Sequence, residues 1–135
     1  FDPADEITVP ARFAALPDLL DHLCRQAEAA GIGPDCQLRM QLVVEELFAN
    51  TIHHGHGGEC DAAVRLMVSC SEGCCRLHYD DTAPPFDPLQ APVSPPSPER
   101  PGGAGLHLLR RLIHSGRYAR TDTGNHIELV FRETG

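Results

Sequence analysis

The chain has 135 residues and a formal net charge of -8 at pH 7, with 41% hydrophobic residues. That length suffices for one domain over residues 1–135, burying roughly two-thirds of its unfolded surface in a single core. The acidic balance excludes phosphate-backbone binding, which needs a clustered basic surface, and no apolar run reaches the ~20 residues of a membrane span. Neither a nucleic acid nor a membrane is therefore an expected partner. The first residue is Phe1 rather than Met, so the lack of a targeting signal decides nothing.

Glu6 to Val9 is predicted to be a short strand. Leu16, Leu19, Leu20, Leu23 and Ala27 recur at helical spacing, with Pro17 tolerated in the first turn, so Leu16 to Ala30 is predicted to be a helix ending at Gly31. Pro34 and Asp35 open a second helix, whose expected core face is Leu38, Leu42, Val43, Leu47 and Phe48. It is expected to run to about His54, with Gly55 as its stop. Ala63 to Ser71 alternates in period two, Glu72-Gly73 is a turn, and Cys75, Leu77 and Tyr79 alternate in the returning strand, which ends in Asp80-Asp81.

From Thr82 to Pro101 hydrophobic periodicity vanishes, and eight of the 12 prolines fall there. A structureless stretch of that length inside a small domain suits a functional lid better than a passive linker. Gly102-Gly103-Ala104-Gly105-Leu106 then opens a third helix; glycines at a helix start let backbone N–H groups approach an anion closely. Arg117 to Thr121 and His126 to Phe131 are predicted to form a closing hairpin around Thr123-Gly124-Asn125.

Two constellations invite chemistry. On the second helix Glu46 and Asn50 are four apart, so they stack on one face. An amide oxygen there suits a hard cation such as Mg2+, and the neighbouring carboxylate suits a base that deprotonates a nucleophile. The bland alternative is an amphipathic helix whose Glu and Asn face water. Six cysteines, Cys24, Cys36, Cys60, Cys70, Cys74 and Cys75, form no CxxC pair and are expected to be reduced, mostly buried thiols. His53, His54, His56 and Cys60 could gather a metal, but their spacing does not by itself assemble four ligands.

Three islands in a fixed order carry a family resemblance. Glu46, Asn50 and His54-Gly55 resemble the N box of the GHKL ATPases, the histidine-kinase-like ATP-binding family. Asp81-Thr82-Ala83-Pro84-Pro85-Phe86 resembles the DxGxxF box, with Ala83 in the glycine slot. Gly102 to Leu106 resembles the second glycine box, and the proline-rich stretch between the boxes, about 82–101, corresponds to the ATP lid. Within the superfamily the chain looks most like the bacterial anti-sigma-factor serine/threonine kinases of partner-switching systems, through PPFDPL, GGAGLHLLRRL and the closing hairpin.

The resemblance implies an α+β two-layer sandwich, a mixed or antiparallel sheet covered on one face by about three helices (the Bergerat fold). It implies Mg2+ and ATP as cofactors, with Glu46 as general base and Asn50 as the Mg2+ ligand. Asp81 would accept the adenine amino group, with Ala83 and Phe86 beside the base. Gly102, Gly103, Ala104, Gly105 and Leu106 would wrap the phosphates. His54 either lines the nucleotide pocket or is a helix-terminal surface histidine. If Asp80 served instead of Asp81, Thr82 would take the glycine slot, which fits the box less well. Ala83 would be penalised by any positive φ. Arg100, at the lid's end, is either a phosphate contact or a solvated charge.

The implied activity is phosphorylation of an anti-sigma-factor antagonist, with sequestration of a sigma factor, by a cytoplasmic homodimer. The stretch before Leu16 has no room for the helix hairpin of a sensor histidine kinase. The alternative is an ATP-gated protein-binding module without phosphotransfer, on its own or as a domain of a larger regulator.

Overall fold

A computed structural model describes residues 5–91 and 103–133. Five strands, β1 (Glu6–Pro10), β2 (Ala63–Ser71), β3 (Cys74–Asp81), β4 (Ser115–Thr121) and β5 (Gly124–Arg132), form one sheet in the order β1-β2-β3-β5-β4. Every neighbouring pair is antiparallel. Three helices, α1 (Leu16–Ala29), α2 (Pro34–Asn50) and α3 (Gly103–Leu112), complete the expected α+β sandwich.

Strand alternation sets the two faces. Val64, Leu66 and Val68 of β2, Cys75, Leu77 and Tyr79 of β3, and Ile127, Leu129 and Phe131 of β5 are all buried. The intervening residues point outward with Arg65, Arg76, His78, Asp80, His126 and Glu128, the polar half of a period-two pattern. Glu72 (φ 51) and Gly73 (φ 73) make the left-handed two-residue turn that suits a twisted hairpin between β2 and β3.

Proline starts both long helices, at Pro17 and Pro34, and neither has a side-chain N-cap bond. The Gly33 N–H at the start of α2 instead donates to the Glu133 carboxylate just past β5, which satisfies an orphan donor and ties helix to sheet. Arg39 of α2 reaches the Arg132 carbonyl at 2.7 Å and the Leu112 carbonyl at 3.4 Å, linking three elements.

Four expectations need correction. The buried stripe of α2 is Cys36, Met40, Val43, Val44, Leu47 and Phe48, while Leu38 and Leu42 are 53% and 37% exposed. The helix is rotated so that the 36–40–43–47 row meets the core, and propensity alone does not choose between two adjacent apolar rows. The α-helical hydrogen bonding stops at Asn50, and Thr51–Gly55 form a single π turn. The last hairpin turns at Asp122-Thr123, so Gly124 and Asn125 belong to β5. Lastly, Cys70 and Cys75 are bonded rather than reduced. They stand directly opposite each other across β2 and β3, a pairing that sequence spacing alone does not show. Cys24, Cys36, Cys60 and Cys74 remain free.

Candidate functional site

The end of α2, its π turn, the last residues of β3 and the first of β5 surround a cavity of about 130 Å³. Its walls are mostly apolar, with Leu47, Tyr79, Ala83, Phe86 and Ile127 around one buried carboxylate, Asp81. Strand parity puts it there: Cys75, Leu77, Tyr79 and Asp81 share the helix-covered face, so Asp80 must point the other way. Asp80 is held on the open face by Arg65, at 2.6 and 2.9 Å, and by His126 at 2.8 Å. Of the two aspartates, Asp81 is the one that lines the cavity.

Asp81 is held wholly by neutral groups. Its Oδ1 accepts from Asn125 Nδ2 at 2.8 Å and from the Ala83 N–H at 3.2 Å, and its Oδ2 accepts from Thr51 Oγ1 at 2.8 Å. Thr51 Oγ1 also lies 2.6 Å from Tyr79 OH and 3.0 Å from the Leu47 carbonyl. A hydroxyl has one proton, and the bond to a carboxylate is the stronger, so Thr51 donates to Asp81 and accepts from Tyr79. Complete burial raises the Tyr79 pKa far above its ordinary value, keeping this phenol a donor.

Asn125, 2% exposed, is the other organiser. Besides Asp81, its Nδ2 reaches the Ala83 and Pro84 carbonyls at 3.1 and 3.0 Å. Its Oδ1 accepts from the Phe86 N–H, from Tyr118 OH and from Arg120. One amide thus fixes both the carboxylate and the loop that follows it. The close approach needs glycine at position 124 (φ 138), where a Cβ would lie 2.0 Å from the Asp81 carbonyl oxygen. Thr51, Tyr79 and Asn125 were not among the sequence candidates. Their signal is polarity on an inward phase: Asn125 shares parity with Ile127, Leu129 and Phe131.

The first-box alanine fits without strain. Among the described non-glycine residues only Glu72 has a positive φ, so Ala83 carries no such penalty. Its side chain is 2% exposed and packs on Gly55, where an added Cβ would stand 2.6 Å from that of Ala83. Small residues on both sides therefore let the end of α2 close onto the loop.

Glu46 and Asn50 do meet, with Asn50 Nδ2 donating to Glu46 Oε1 at 3.3 Å. Burial pushes the Glu46 carboxyl above its ordinary 4.5, against the opposing pull of the Asn50 bond and the His54 charge. Asn50 lines the cavity, and among the described residues its Oδ1 accepts no hydrogen bond. An oxygen donor beside a carboxylate suits a hard cation such as Mg2+. Among the described residues no three His, Cys, Asp or Glu side chains converge on a metal position. His54 is exposed and lines the cavity.

The described residues lining the cavity include none from the glycine box. Gly103, Ala104 and Gly105 form the first turn of α3, and Leu106 is half-buried on it. Gly102, Arg100 and the lid from residue 92 lie outside the described residues. The loop up to Ala91 is tied to α3 by Arg110, which donates to the Pro88 carbonyl at 2.9 Å and to the Ala91 carbonyl.

A sequence model of the histidine kinase-like ATPase domain matches residues 9–131. The chain belongs to that family. This ATPase domain is also 33% identical over 96 residues to the serine/threonine-protein kinase BtrW of Bordetella bronchiseptica, covering 67% of each chain. Its fold matches the structure of the RsbU and RsbW domains of Rv1364c from Mycobacterium tuberculosis, with a TM-score of 0.62 and 17% identity. That match covers 94% of this chain and 31% of the other. The catalytic domain of histidine kinase ThkA matches with a TM-score of 0.52 and 14% identity, over 94% and 93% of the two chains. At such identities the solved structures speak to the fold, and the family match makes this an ATPase domain. No helix among the described residues is long and apolar enough to cross a membrane.

Proposed function

We propose that this domain is a serine/threonine protein kinase of a partner-switching system. It uses Mg2+ and ATP to phosphorylate an anti-sigma-factor antagonist, and it sequesters a sigma factor. The observation that carries the reading is the Glu46–Asn50 pair beside the Asp81 cavity, in a chain 33% identical to a serine/threonine-protein kinase. We place it in the cytoplasm as a homodimer, on the family resemblance.

In this reading Asp81, oriented through Thr51 and Asn125, accepts the adenine amino group while Phe86 and Ile127 cover the base. Asn50, through Oδ1, holds Mg2+, which when bound neutralises charge on the phosphates. The first turn of α3, from Gly103 through Ala104, Gly105 and Leu106, turns backbone N–H groups toward phosphate oxygens. Glu46 takes the proton of the acceptor hydroxyl. That oxygen bonds to the terminal phosphorus as the bond to the ADP oxygen breaks. A carboxylate raised by burial above its ordinary pKa is a better base than a solvated one.

The test is calorimetric titration of ATP with and without Mg2+, on wild type and Asn50→Ala, followed by phosphotransfer to the cognate antagonist. Binding between about -8 and -4 kcal/mol, weakened without Mg2+ or Asn50, is expected. Phosphate on the antagonist should disappear with Glu46→Ala. Tight ATP binding with no transfer to any serine or threonine would replace the kinase by an ATP-gated binding module.

A further inference from the structure

Glu46 faces a second space on the other flank of α2. This cleft, about 340 Å³, lies between the 3₁₀ turn Phe13–Ala15, α2 and α3. Phe13, Leu42 and Leu108 wall it while remaining 36%, 37% and 47% exposed. They are three of the five large hydrophobic side chains exposed among the described residues, gathered around one groove. Such a gathering marks a contact surface rather than scattered surface apolarity. The wall is preformed: Phe13 sits edge-on to Phe48 at 6.3 Å and lies 5.1 Å from the His53 ring.

The two spaces meet at one hydrogen bond. Asn50 lines the Asp81 cavity, Glu46 lines the apolar cleft, and the two side chains touch at 3.3 Å. A base positioned there is open to a hydroxyl arriving through the cleft while its amide partner faces the nucleotide. Resting on the kinase reading, we propose that the cleft seats the acceptor segment of the protein substrate. That segment is a stretch bearing a serine or threonine flanked by aliphatic side chains, with a basic residue to meet Glu45.

Charge argues for this occupant over the others. Glu45 lines the cleft beside Glu46, and among the described residues it makes no ion pair. A two-fold contact between copies would bring this patch against itself and crowd four carboxylates into an apolar interface. The lid sequence PVSPPSPERPG offers only Val93 as an aliphatic side chain besides its prolines, too few to fill the groove. A foreign segment with aliphatic and basic side chains suffers neither defect.

The experiment offers the whole chain an oriented peptide library with a fixed serine and randomised flanks. Phosphorylation is read with Mg2+ and ATP, and binding is read with a non-hydrolysable ATP analogue by methyl NMR of the leucines. Enrichment of Leu, Ile, Val or Met beside the serine, with Lys or Arg nearby and shifts at Leu42 and Leu108, is the expected result. Leu42→Ser and Leu108→Asp should each lower kcat/KM for a selected peptide about tenfold through KM. Both sites are exposed enough to fold, and ATP affinity should stay within about twofold of wild type. Apolar-flanked peptides that bind at the cleft without accepting phosphate would keep the cleft as a peptide site but overturn its acceptor role together with the kinase reading. Phosphorylation indifferent to flanking residues and to both variants would do the reverse. Variants that dissociate a dimer without changing peptide phosphorylation would overturn the assignment in favour of a second copy, and no binding by any peptide would overturn it outright.

Discussion

The two faces of the sheet treat their carboxylates in opposite ways. On the open face Asp80 and Glu128 are matched with cations, Arg65 for one and Arg117 and Arg76 for the other, and the His126 ring also hydrogen-bonds Asp80. The hydrogen bond from Arg117 draws the Glu128 pKa below its ordinary value. On the helix-covered side the hydrogen bonds to Asp81 and Glu46 among the described residues all come from neutral donors, Thr51, Asn125, an amide N–H and Asn50. Paired carboxylates are finished with as interactions; those held by neutral groups keep an acceptor free for something that arrives later.

Glu46→Gln should lower phosphotransfer by about 10²–10⁴-fold while leaving ATP binding in place, as expected of a positioned base. Stability should move the other way. Because burial raises the folded-state pKa of Glu46 above 4.5, its favourable contribution is complete below the unfolded pKa and is lost as pH rises through the folded one. Urea melts between acid and neutral pH should therefore show wild type losing ground to Glu46→Gln on the way up. Activity of wild type should rise over the same interval, as the base ionises. A pH-independent difference between the two proteins would mean that Glu46 is an ordinary solvated carboxylate.

Asp81→Asn removes one acceptor and turns a donor toward groups that already donate. ATP affinity should fall by about 10–100-fold, the cost of leaving a buried polar group unmatched. Circular dichroism should retain the fold, since the β3–β5 ladder does not depend on that side chain. Undiminished affinity would mean that the base is read elsewhere in the cavity.

The sequence carried much of this in its spacing. Period two in β2, β3 and β5 showed the inward residues, and helical spacing placed α1 and the stacked Glu46–Asn50 pair. The same parity that buries Tyr79 also points Asp81 inward, so its burial was legible in the alternation. Contacts that depend on tertiary register were not legible. Thr51 reaches Asp81 across 30 residues and Asn125 does so across 44. Cys70 meets Cys75 only once the hairpin register is set. The exposure of Leu38 and Leu42 follows from the rotation of α2, which the competing Cys36–Met40–Val43 row decides by packing.

Asn125→Ala probes the neutral support itself. It deprives Asp81 of a donor and leaves the Phe86 N–H, Tyr118 OH and Arg120 without a shared acceptor. A stability loss of about 1–3 kcal/mol is expected, as for other buried network members. ATP affinity should drop less than in Asp81→Asn, because the carboxylate remains and only its orientation loosens. A loss of stability with no loss of affinity would confine Asn125 to holding the loop.

Asp80→Asn is the control that makes the division sharp. The side chain is 15% exposed, and its partner Arg65 is 44% exposed and also lies 3.7 Å from Glu6. Arg65 therefore keeps an anionic neighbour when Asp80 is neutralised, and the asparagine can still accept one hydrogen bond. Exposed pairs of this kind contribute about 0.2–1 kcal/mol, and salt should shrink even that. ATP affinity should stay within about twofold of wild type, since the side chain points away from the cavity. If Asp80→Asn instead weakened ATP as much as Asp81→Asn, the open-face network would be reaching the site through β3. The carboxylates of the two faces would then be one coupled system rather than two.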